Sequence, residues 1–160
     1  KFLFIVQGEG RGHFTQAITL EDMLLRNGHQ VVEVLVGKSS SRTLPAFSTG
    51  YPGTGKAFHQ SEFLPTAENK RADLKKSFAY NLIHVPEYFR SMCYINQRIK
   101  ETGAEVVINF YELLTGLTYA LFRPSVPYVC IGHQYLFLHN HFEFPRKSVI
   151  QLSMLRFFTR

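Results

Sequence analysis

FLFIVQGEGRGHFTQAITLEDMLLRNGHQVVEVLVG, residues 2–37, holds a strand, a glycine-rich turn, a helix and a second strand in one supersecondary unit. Phe2–Val6 is a short unbroken apolar run, the pattern of a strand covered on both faces. From Phe14 to Asn27, Phe14, Ala17, Ile18, Leu24 and Leu25 recur at helical spacing, while Glu21, Asp22 and Arg26 occupy other faces. Asn27-Gly28 ends that helix, because glycine enters the left-handed conformation at little steric cost. Val31–Val36 is the next strand. The order is that of a βαβ unit, whose strands run parallel.

Outward from this unit the pattern weakens and then returns. Residues 38–55 are rich in Ser, Thr, Pro and Gly and read as loop, with one short strand near Ala46–Ser48. Lys56–Leu64 is a further candidate strand. Residues 68–102 are helical in pattern, divided or kinked at Pro86 and ended by Gly103. Glu105–Phe110 (EVVINF), a helix over Leu113–Phe122 and a strand at Tyr128–Ile131 make a second βαβ unit. His133–Phe144 reads as a loop or short excursion, and Val149–Arg160 as a helix mixing basic and apolar residues. The alternation predicts an α/β fold, a Rossmann-like doubly wound parallel sheet flanked by helices.

The chain has 160 residues, 45% hydrophobic and 19% charged, which suits one domain with a sizeable core. No apolar run reaches the length of a membrane-spanning helix. The net charge of +6 suits anionic partners such as nucleotide sugars, phospholipid surfaces or nucleic acid without choosing among them, and reads first as a solvated surface with no anionic partner. No RNP, KH or zinc-finger pattern accompanies the charge, which disfavours nucleic acid. Cys93 and Cys130 lack CxxC spacing and read as buried, reduced thiols in a cytoplasmic protein. Both ends read as cuts, so a piece of a longer chain is expected.

In a doubly wound sheet, ligands lie outside the carboxyl ends of the strands. Gln7–His13, Tyr111–Glu112 and Gly132–Gln134 leave such ends and are expected to converge on one crevice. Gly8, Gly10 and Gly12 let a ligand approach the backbone, and the helix that follows presents free N–H groups to an anion. The third glycine of a dinucleotide fingerprint would fall on His13, which disfavours NAD, although Glu33 lies at the spacing of a ribose-binding acid. His13 at the helix mouth is a candidate base or ligand contact, and equally a capping residue. Glu112 reads either as an acid favouring the helix dipole or as a partner of His13. His133 and Gln134 close the third strand. His133, His139 and His141 have no acid or cysteine at useful spacing, so no metal is assigned.

Residues 2–37 and 105–134, in that order and with RNGHQV before the second strand, resemble glycosyltransferases of the two-domain GT-B type, within them the MurG and family 28 group. The resemblance covers well under half of the chain. It implies that residues 1–160 form a single acceptor-binding N-terminal domain of a nucleotide-sugar-dependent hexosyltransferase, whose donor-binding C-terminal domain is absent from this chain. The fragment alone is then expected to be inactive. Gly8, Gly10, Arg11 and Gly12, with His133 and Gln134, would contact substrate. His13 would be the base, supported by Glu112, and such a base contributes about 10²–10⁴-fold. No cofactor is implied. The acceptor would be a sugar or lipid-linked sugar, and the location cytoplasmic, with peripheral contact to the inner face of a membrane as a further option. Where many relatives carry an acid just after the strand, this chain has Phe110, so the dyad does not follow from the resemblance. Two alternatives stay open: a non-catalytic anion- or nucleotide-binding module, and a GT-B-fold nucleotide-sugar epimerase.

Overall fold

A computed structural model describes residues 1–8, 11–38, 58–59, 80–139 and 142. The chain divides into two compact units, Lys1–Cys130 and Ile131–Arg160. In the first, the elements run β1 (Phe2–Gln7), α1 (Arg11–Arg26), β2 (Val31–Lys38), β3 (Phe58–His59), α2 (Val85–Glu101), β4 (Val106–Phe110), α3 (Leu113–Phe122) and β5 (Tyr128–Cys130). The second contains a 3₁₀ helix, His133–Leu138, in the segment expected to be loop.

All strand pairs are parallel, in the order β3-β2-β1-β4-β5, so the expected α/β parallel sheet is present. Among the described residues, β3 contributes Phe58 and His59 to the sheet margin. β1 is central. Leu3 stands beside Glu33 of β2 and Val107 of β4, and Val6 beside Val36 and Phe110. The apolar run Leu3–Val6 is wholly buried, as a strand covered on both faces requires. Because side chains alternate, Leu3 and Ile5 join Tyr88, Ile95 and Ile99 of α2 and Leu114 of α3 in one core cluster. Phe4 and Val6 point to the other face, where α1 lies against the sheet and buries Phe14 and Ala17.

Local chemistry sets the helix limits. α1 ends at a Schellman turn: the His29 and Gly28 amides donate to the Leu24 and Leu25 carbonyls at 2.9 and 3.1 Å. Gly28, at φ 77°, takes the left-handed position. Pro86 lies in the first turn of α2, where its missing N–H removes no helical bond. Residues 80–83 are also helical, so the break expected at Pro86 falls at His84. Gly103, at φ 62°, follows the end of α2. Cys93 is exposed, contrary to the expectation of two buried thiols, because it lies on the solvent side of α2. On α3, Leu113, Leu117 and Leu121 are exposed at successive turns, and Leu117 and Leu121 line a shallow apolar groove with Met92 and Ala120. No helix among the described residues is long and apolar enough to cross a membrane. The candidate strand near Ala46–Ser48 and the helix Val149–Arg160 lie outside the described residues.

Candidate functional site

The strand order reverses between β1 and β4, since β2 and β3 extend the sheet one way and β4 and β5 the other. Such a topological switch point opens a crevice at the carboxyl ends of the two central strands. The turns after β1 and β4 therefore lie side by side, and two of the three loops singled out by sequence meet. His133 and Gln134, the third, open the 3₁₀ helix of the second unit.

On the β1 side, the buried Gly8 donates its amide to the Gly37 carbonyl at 2.8 Å, tying the turn to the end of β2. Glu9 and Gly10 lie outside the described residues. Arg11 starts α1, three residues before the periodicity predicts, because a polar first turn carries no apolar signal. That first turn contains no acidic residue. Gly12 is exposed, and a Cβ built there meets nothing within 4 Å. Among the described residues, then, nothing requires glycine at this position.

His13 is half-buried with its Nδ1 enclosed. Its imidazole stacks on Tyr111, with ring centroids 6.2 Å apart and planes 17° from parallel. Tyr111 has φ 58°, a left-handed conformation uncommon for a bulky side chain. Phe110 is fully buried and meets Phe4 edge-on at 5.2 Å.

Asn109 and Glu112 bracket Tyr111. The Glu112 amide donates to Asn109 Oδ1 at 2.8 Å, and Asn109 Nδ2 donates to the Glu112 carbonyl at 3.0 Å. Asn109 Nδ2 also approaches Cys130 Sγ on β5 at 3.4 Å. Glu112 is the N-cap of α3, with its Oε2 accepting from the Thr115 amide at 3.2 Å. Its side chain is buried, and burial raises its pKa to about 7 against the opposing pull of the Thr115 and Leu114 amides. Of its two sequence readings, the structure places the carboxyl at the helix end, as a cap.

The sequence marks Tyr111 only as part of the loop after β4, with no role of its own, and does not mark Asn109 as a site residue. Asn109 had a sequence signal, as the polar residue in an otherwise apolar β4. Glu33 belongs elsewhere. It is the third residue of β2, far from that strand's carboxyl end, and its Oε2 accepts from Arg98 Nε at 2.9 Å. The chain spacing that suggested a ribose-binding acid is met at the wrong end of the strand.

Comparison with protein-family models, with curated proteins and with solved structures finds no match. The functional reading rests on the site itself: the turns after β1 and β4 meeting at the switch point, and an imidazole stacked on a phenol across them. Among the described residues, no group of three or more His, Cys, Asp or Glu side chains is placed to hold a metal ion.

Proposed function

We propose that this chain is the acceptor-side, N-terminal domain of a nucleotide-sugar-dependent glycosyltransferase of the GT-B type, in the MurG and family 28 group. The observation that carries the reading is the meeting of the glycine-containing β1–α1 turn and the Tyr111–Glu112 turn at the switch point. In this proposal the start of α1 faces the diphosphate of the donor, where backbone amides and the helix dipole stabilise the leaving group. His13 takes the proton of the acceptor hydroxyl as that oxygen attacks the anomeric carbon. Glu112 supports the site by fixing the start of α3 rather than by direct contact with the reacting atoms. The donor sugar is held mainly by a second domain, and the acceptor is a sugar or lipid-linked sugar.

The test uses the full-length protein with a series of UDP-sugars, beginning with UDP-GlcNAc, and measures release of nucleoside diphosphate with and without candidate acceptors. Release that requires acceptor and disappears in a folded His13→Ala variant supports the proposal. Turnover unchanged by that substitution removes His13 as the base. Isomerisation of the donor without acceptor would replace glycosyl transfer by epimerisation.

A further inference from the structure

We propose that Asn109 is a positioning residue: its paired hydrogen bonds to the main chain of Glu112 hold Tyr111 left-handed and so hold the Tyr111 ring against His13. A bulky residue in that backbone region is strained and persists only where its surroundings over-determine it. Both ends of the Asn109 carboxamide are used on a single residue, through the amide and the carbonyl of Glu112. That closed ring spans Phe110 and Tyr111. Cys130 Sγ holds the same carboxamide from the neighbouring strand. Beyond the ring, the Glu112 side chain caps α3, so the turn is clamped on its helix side as well.

The direction of the clamp gives it a role at the site. Asn109 is itself 2% exposed and occupies a strand position where an aliphatic residue would ordinarily pack. Its polar group serves the turn, and the turn aims a ring across the switch point at an imidazole on another element. Loss of the clamp frees the backbone of Tyr111 to relax to negative φ, which swings the ring away from His13. The expected effect on activity rests on the glycosyl-transfer reading above; the positioning of the ring does not.

The test follows the ring signals of isotope-labelled histidine by NMR in the full chain, with His13 assigned through His13→Gln. Asn109→Ala and Tyr111→Ala are expected to move the His13 signal in the same direction, and the double variant no further than Tyr111→Ala alone. An unmoved His13 signal in folded Asn109→Ala overturns the proposal. Thermal melting gives a second arm if Asn109→Ala folds poorly. Glycine accepts the left-handed backbone freely, so Asn109→Ala should lower Tm less in a Tyr111→Gly background than in the native one. Equal losses in the two backgrounds also overturn it. In the transferase assay, Asn109→Ala should lower kcat about tenfold to a hundredfold with donor KM little changed. Should the native protein transfer no sugar, the functional reading fails while the NMR and melting results still decide the clamp.

Discussion

Arg98 of α2 and Glu33 of β2 form a partly buried ion pair, Nε to Oε2 2.9 Å, across 65 residues of sequence. The pair fastens α2 to the amino-terminal part of β2. Arg98 also reaches Glu101 along its own helix, through Nη1 at 2.6 Å. The hydrogen bond to Glu33 is the main reason that the Arg98 pKa is raised, so the guanidinium stays charged.

Arg98→Met should therefore lower stability by about 1–2 kcal/mol, between the values typical of exposed and of buried pairs. If the proposed glycosyl-transfer function holds, nucleotide-sugar binding should not change, because the pair lies away from the carboxyl ends of the strands. Urea denaturation beside a binding titration checks both halves, and lost binding in a stable variant would return Glu33 to the site.

Gly12→Ala separates the needs of a ligand from those of the fold. The site has room for a methyl group, and alanine favours a helix over glycine by about 1 kcal/mol. Melting temperature should hold or rise. If a diphosphate approaches the start of α1 closely, donor affinity falls all the same. A variant that is more stable and binds donor as well as the native protein would move the ligand off this turn.

The Glu112 carboxyl makes stability fall as pH rises. Its folded pKa, about 7, lies above the ordinary 4.5, so the folded chain retains a proton that the unfolded chain releases. The associated stability is complete below about pH 4.5 and is lost on the way up through about 7. The loss is on the order of 3 kcal/mol. Glu112→Gln keeps an oxygen acceptor for the Thr115 amide and removes the titration. Denaturation midpoints taken between about pH 5 and 8 should diverge, with the variant gaining on the native protein as pH rises. Parallel curves would show that the carboxyl ionises normally.

Two faces of α3 should answer differently to substitution. Leu114 is 1% exposed inside the core cluster, whereas Leu117 is 44% exposed. Leu114→Ala should cost about 2–5 kcal/mol. Leu117→Gln should stay within roughly 0.5 kcal/mol. Comparable losses in a melting experiment would mean that the helix is turned otherwise.

Much of this architecture is legible in sequence for simple reasons. An unbroken apolar run marks β1, Gly28 marks the left-handed end of α1, and an acid before the apolar run marks the start of α3. Lateral order is not legible, since pairing of β1 with β4 across α1, β2 and α2 leaves no local trace. The limits of α1 show the same boundary: periodicity reports the buried face and passes over the polar turn Arg11–His13. At the site, the two turns can be read as strand ends, but the left-handed Tyr111 cannot. Nothing in an aromatic side chain favours that backbone, and the clamp that imposes it comes from the side chain of Asn109. Glu33 shows the converse, a spacing that looks functional and is spent on an ion pair.

The central place of β1 has a consequence for biosynthesis. Its β2 edge is matched almost at once by the growing chain, while its other edge waits for β4, which includes the register of Phe4 with Ile108. At roughly 5–20 residues per second, the ribosome takes several seconds to make the intervening residues. Throughout that interval Leu3–Val6, wholly buried in the finished fold, can be covered by only part of their eventual neighbours. A nascent chain stalled short of β4 should thus engage chaperones, and one released just after α3 should let go of them.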